Sequence, residues 1–188
     1  MKIWEHQTWN QDILPTEQFA GQEFFACTFS GLPLIETDFQ GTHFSECSFA
    51  SCDLHMLQMK RCRLQDVLFT DCKIVGVPFF LCERRFFTPQ FQSCVLIGCN
   101  FSHLSMRGIS FCKSKVHECS FLEADLTRAN LQETDFAGSL FHHTNLAKAD
   151  FKGARNYAIN PQVNVVKKAR FSLPDALCLL ESFEVDIF

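Results

Sequence analysis

The chain has 188 residues, a formal net charge of −4 and 47% hydrophobic residues, among them 22 Phe and 11 Cys. That balance fits one soluble domain, and no uninterrupted apolar segment is long enough to span a membrane. The start, Met1 to His6, lacks the basic and apolar blocks of a signal peptide. An odd number of cysteines reads as reduced thiols of a bacterial-type cytoplasm, not as a secreted disulfide framework.

Residues 1–16 are expected to form an N-terminal lid or partial coil. Trp4, Trp9 and Leu14 keep an apolar spacing of five, but Lys2, Gln7 and Asp12 stand where the later pattern has small residues. The Trp side chains are suited to cover an open end.

Residues 17–80 form a first repeat block. From Phe19 through Phe24, Phe29 and Leu34 to Phe79, thirteen apolar residues recur at every fifth position, here called i. Five residues turn about 500° on an α-helix, so the centres scatter around the axis. On a flat strand an odd step flips the side chain each time. A coil that turns a corner every five residues keeps them all inside, and a fixed period points to stacked, quasi-one-dimensional architecture.

Residues 81–85 break the phase by two residues, and a bulge there exposes Glu83, Arg84 and Arg85. The inward register is expected to resume at Phe86. The charge balance changes at the same place: residues 1–80 sum to −5 and residues 81–115 to +4. Loops on rigid scaffolds often carry binding, while a short insertion can equally be a tolerated surface irregularity.

Residues 86–155 form a second block, fourteen further centres from Phe86 to Phe151. Its most regular part runs through Ala124-Asp125-Leu126-Thr127-Arg128 and Ala129-Asn130-Leu131-Gln132-Glu133 to Ala149-Asp150-Phe151-Lys152-Gly153. Across both blocks sixteen of the 22 Phe lie at i, all eight Gly at i+2 and eight of the eleven Cys at i−2. Gly suits corners, and a free thiol behaves as a small buried hydrophobe. His103, Glu123 and His143 share i+2 at steps of twenty; they read as an exposed ladder rather than a zinc site, since no fourth ligand is evident.

Residues 156–188 are expected to leave the repeat as a C-terminal cap and dimerisation segment. Ser172 can cap a helix over about Pro174 to Phe183, with Pro174 in its first turn and Asp175 favouring its positive end. Phe171, Leu177, Leu180, Phe183, Val185, Ile187 and Phe188 exceed what one narrow coil end can cover, which points to a homodimer interface.

The fives of Ala124 to Gly153 resemble the pentapeptide-repeat family, whose pattern is Ala-Asp/Asn-Leu-X-X. The resemblance covers roughly residues 17–153. It implies an all-β solenoid, a right-handed quadrilateral β-helix with four fives per coil and a short C-terminal α-helical cap. The two-block plan and the tail Ile159-Asn160-Pro161-Gln162-Val163-Asn164 with Leu173-Pro174-Asp175-Ala176 are similar to Qnr-type quinolone-resistance and microcin-immunity members. That similarity implies a non-enzymatic, cytoplasmic dimer with no cofactor and no direct nucleic-acid or membrane contact. It would bind DNA gyrase or topoisomerase IV as a DNA mimic and protect it from a poison. The bulge residues Glu83, Arg84 and Arg85, with Glu46, Asp66 and Asp125, are the candidate partner contacts. A rod that serves as a structural or adaptor surface for some other protein is the alternative. No nucleophile–base pair, phosphate loop or zinc-protease signature points to an enzyme.

Overall fold

A computed structural model describes residues 2–11, 18–183 and 185. Leu14, Ile187 and Phe188 lie outside the described residues. The fold is a parallel β-solenoid of about 8 turns with little helix. Three faces carry strands of two or three residues, and each strand pairs in parallel with the one a turn away. On the first face Glu23–Phe25, His43–Ser45 and Arg63–Gln65 follow Ile3–Glu5 at steps of twenty. The second face begins at Thr8–Trp9 and ends at Gln90–Gln92. The third runs from Pro33–Ile35 to Lys115–His117. The fourth is tied by single bridges such as Asp38 with Gln58 and Ser120 with Leu140.

A centre every five residues therefore becomes four inward columns. Phe29, Phe44, Phe49, Phe91, Phe101 and Phe111 are almost fully buried. Trp9, Phe29, Phe49, Phe69, Phe91 and Phe111 form one unbroken stack, with ring centroids 4.5–5.1 Å apart. Strand separation is about 4.8 Å, so identical rings on neighbouring turns meet in contact without any adjustment of the backbone.

The i−2 column explains the cysteines. The Cys47 thiol donates to the carbonyl of Phe24, Cys52 to Phe29, Cys72 to Phe49 and Cys94 to Phe69. Thr42, Thr134, Ser139 and Thr144 make the same bond with a hydroxyl. The position selects a small side chain with one donor, because the i carbonyl of the preceding turn is buried beside it. All eleven thiols are free, and nine are buried.

The i+2 corner is left-handed almost everywhere, at all eight Gly and at residues such as Glu46, Asp66, Arg128 and Lys148, with Leu81 an exception in a 3₁₀ turn. The two blocks differ at i−1. In the second block Asp125, Asn130, Asp135, Asn145 and Asp150 each accept the amide of i+1. That side-chain bond mimics a backbone turn, and the strands shorten to single bridges. In the first block Glu23, Thr28 and Pro33 cannot close the same turn, and three-residue strands persist.

The structure corrects three expectations. The inward register resumes at Phe87, which is buried, not at Phe86, which is half-exposed. Three residues, Arg84 to Phe86, loop out, and the next corner is then one residue short. Leu64 accordingly pairs with Phe87, and Phe69 with Phe91.

The coil also does not end near residue 155. Ala158 still pairs with Leu140, and after a turn over 160–163 Val165 pairs with Asn145 and Arg170–Phe171 with Asp150–Phe151. Asn164 fills the i−2 place: it donates to the carbonyls of Phe141 and Asn160 and accepts the amide of Thr144. A polar residue can stand inside because every bond it needs is met there.

Last, the terminal helix, Asp175–Phe183, is 3₁₀ and not α. The groups expected to cap it are taken by the rod. Ser172 accepts the amide of Gly153, and Asp175 that of Asn156.

Candidate protein-binding surface

The bulge sits on the first face, inserted between Glu83, one turn above Arg63, and Phe87, which pairs with Leu64. Glu83 turns back toward the first face, where its carboxylate accepts from Arg63 Nε at 2.7 Å. The Arg63 guanidinium lies over the Phe86 ring at 4.7 Å, an arrangement that pins the ring outside the coil. Arg84 and Arg85 project outward and are exposed, with no ion pair among the described residues.

Beside them is a cleft of about 600 Å³ bordered by Asp66, Arg84, Arg85 and Arg107 and floored by Phe87, Pro89 and Ile109. Two of its carboxylate neighbours are committed. Asp66 Oδ1 accepts from the Thr88 hydroxyl at 3.1 Å, while the Asp66 amide donates to that same hydroxyl. Asp125 Oδ1 accepts from the Thr127 amide, and its Oδ2 pairs with Arg107 at 3.0 Å. Partial burial alone would raise the Asp125 carboxyl; the Thr127 and Arg107 bonds outweigh it and hold the group below the usual carboxylate range.

Of the six residues the sequence proposes as contacts, Asp66, Arg84 and Arg85 border one cleft, and Asp125 joins it through its ion pair with Arg107. Glu46 is exposed one turn below Asp66 in the same corner column. Glu83 faces the opposite side of the bulge, toward Arg63. Sequence reasoning placed Arg85 and Arg128 on the same face as Glu46 and Asp66 but did not single out Arg107, Lys148 or Lys168. They occupy the i+2 corner or adjoin it in successive turns, and spacing by twenty was the signal for them.

The candidate ladder of His103, Glu123 and His143 is only partly joined. His103 Nδ1 lies 3.2 Å from Glu123 Oε2, while the His143 ring packs edge-on against His142. Among the described residues no group of three or more His, Cys, Asp or Glu is placed to hold a metal ion. No helix among them is long and apolar enough to cross a membrane.

The family profile described as "Pentapeptide repeat region" matches residues 22–83, and "Pentapeptide repeats (8 copies)" matches residues 119–155. The chain belongs to the pentapeptide-repeat family. Among solved structures this pentapeptide-repeat rod is similar to trypsin-treated QnrB1, a plasmid-mediated fluoroquinolone resistance protein. The identity there is 15%, the TM-score 0.52, and the coverage 99% of this chain and 98% of that one. It also matches HetL, a pentapeptide-repeat protein of the cyanobacterium Nostoc involved in heterocyst differentiation regulation. For HetL the identity is 14%, the TM-score 0.31, and the coverage 90% and 83%. No curated protein matches the chain in sequence. At these identities the likeness is one of fold, and the function rests on the surface.

Proposed function

We propose that this pentapeptide-repeat protein is a non-enzymatic rod that binds a type II topoisomerase, DNA gyrase or topoisomerase IV, and protects it from a poison. The observation carrying this reading is a corner column of exposed charge, Glu46 and Asp66 below the exposed Arg84–Arg85 bulge and Arg128, Lys148 and Lys168 above it. Evenly stacked carboxylates such as Glu46 and Asp66 can stand in for phosphates along a DNA groove of the enzyme. The full-length fold likeness to a fluoroquinolone resistance protein agrees with it. The test is a gyrase supercoiling assay with a quinolone, with and without this protein. Restored supercoiling is expected; absence of both restoration and pull-down binding would overturn the assignment.

A second reading, an adaptor rod for another protein, is favoured by one specific feature. The corner that carries Glu46 and Asp66 below the bulge carries Arg128, Lys148 and Lys168 above it. A mimic of DNA keeps one sign along its length; a surface of both signs suits a protein partner. Recovery of a partner other than a topoisomerase from a cell extract, with no effect on gyrase, would select this reading.

A further inference from the structure

The i+2 corner between the first and second faces is one continuous column. The amide of Glu46 donates to the carbonyl of Gln65, that of Gly108 to Thr127, that of Arg128 to Ala147 and that of Lys148 to Lys167. Above the bulge the column reads Gly108, Arg128, Lys148 and Lys168, with Arg107 and Lys167 immediately beside it. Arg84 and Arg85 join it from below through the cleft they share with Arg107. All of these charged side chains are exposed. From the bulge to Lys168 the column climbs four turns, about 19 Å at about 4.8 Å per turn.

Elsewhere on this rod, several charged neighbours a turn apart are of opposite sign and paired. Examples are Arg63 with Glu83, Arg155 with Asp135, Arg170 with Asp150, His43 with Glu23 and His103 with Glu123. At this corner alone three successive turns carry the same sign, and Arg128, Lys148 and Lys168 have no ion pair among the described residues. Like charges placed opposite one another across strands destabilise. The column thus works against the fold, and its acidic neighbours are spent elsewhere, Asp125 on Arg107 and its own turn and Asp150 on Arg170 and Gln132.

We propose that this basic corner, from Arg84–Arg85 to Lys168, is a docking surface for an acidic segment of a partner protein, one of whose carboxylates seats in the cleft between Arg84, Arg85 and Arg107. The inference rests on the protein-binding reading above and names the chemistry of the bound partner. An extended segment of about six residues covers the distance at about 3.3 Å per residue. The cleft floor of Phe87, Pro89 and Ile109 receives the methylene stem of a Glu, while the guanidinium groups at its rim take the carboxylate. Nucleic acid fits less well. The basic column is narrow, and Asp125 and Asp150 flank it along with uncharged Thr127, Asn130 and Asn145. Its downward continuation through Asp66 and Glu46 would repel a uniformly negative strand.

The test is a fluorescence-anisotropy titration of the full chain with a labelled hexaglutamate peptide, alongside a labelled duplex of twelve base pairs. The peptide is expected to bind at low salt and to weaken as salt rises. Arg84→Glu with Arg85→Glu, and separately Lys148→Glu with Lys168→Glu, should each weaken it on the order of ten-fold. Lys60→Glu with Arg61→Glu, on another edge, should not. The neutral variants Arg84→Gln with Arg85→Gln, and Lys148→Gln with Lys168→Gln, remove like-charge repulsion and should also weaken binding while melting no lower than the parent, which separates lost docking from lost fold. No peptide binding, equal loss in the control variant, or tighter binding of the duplex through the same residues would each overturn the assignment. The readout contains no topoisomerase, so a failure of gyrase protection leaves this titration to stand or fall separately.

Discussion

Leu64 pairs with Phe87, twenty-three residues further on, whereas Phe44 beneath it pairs with Leu64 at twenty. The insertion is absorbed outside the coil, so the Phe69–Phe91 stack continues at 5.1 Å across the break. Phe86 and Phe87 are adjacent in sequence and opposite in role. Phe87→Ala removes a buried ring and should cost about 3–5 kcal/mol. Phe86→Ala removes a half-exposed ring that covers Arg63 and should cost less than about 1 kcal/mol. Urea unfolding of the two variants compares them; equal losses would refute the register.

The thiols make a second expectation. Burial pushes the Cys47 thiol up to about 12, and a thiol that stays protonated is a poor nucleophile. Of the eleven thiols only Cys112 and Cys178 are partly exposed. A thiol-specific chromogenic reagent should therefore label two sites rapidly in the native protein and all eleven in denaturant. Because the Cys72 thiol donates to Phe49, Cys72→Ser should be tolerated better than the slightly larger, donor-less Cys72→Val, by about 1 kcal/mol. Rapid native labelling of more than two thiols would contradict this packing.

The inward columns were legible because a period of five leaves its apolar and small residues in two fixed places, Phe or Leu at i and Cys, Ala or Thr at i−2. The break was legible as a break, yet not its geometry: at Phe86-Phe87 the chain offers two equivalent rings, and only the cation over Phe86 distinguishes them. The last turn was hidden by Asn164, a polar side chain in an inward place, whose partners Phe141, Asn160 and Thr144 are scattered in sequence. The basic corner was legible only at Arg128, because Gly108 leaves the turn below it uncharged and Lys148 and Lys168 lie in turns further along. The helix type depended on Ser172 and Asp175 finding partners in the rod, which no local pattern records.

Acid should loosen the second block in a defined direction. Burial alone would raise the Asp135 carboxyl, but bonds from Asn156, Arg155 and the Ala137 amide outweigh it and hold the group below its ordinary value of 3.8. A carboxyl lowered in the folded state contributes stability that is complete above its unfolded value and lost as pH falls through the folded one. Unfolding midpoints should therefore be flat near neutrality and fall as the medium passes below about pH 4. Asp135→Asn should be less stable at pH 7 and show a shallower fall in acid. An unchanged slope in that variant would remove Asp135 as a source of the acid sensitivity.

The final expectation concerns assembly. Cys178 and Leu179 pack against the core, and Phe171 stacks on Phe151 at 4.8 Å to close the last turn. The opposite side of the same segment leaves Leu173 76%, Leu177 40%, Leu180 40% and Phe183 51% exposed. Soluble chains seldom leave such a contiguous apolar patch open, and two-fold pairing of one patch with its own copy is the commonest way to cover it. Two rods of about 38 Å each, at about 4.8 Å per turn, would then lie end to end, with the two basic corners nearest the junction and the acidic halves at the tips. Static light scattering of the intact chain should report a dimer, and Leu180→Asp with Phe183→Asp a monomer of unchanged strand content. A stable monomer of the intact chain at micromolar concentration would exclude this interface. It would also halve the length available to either proposed partner.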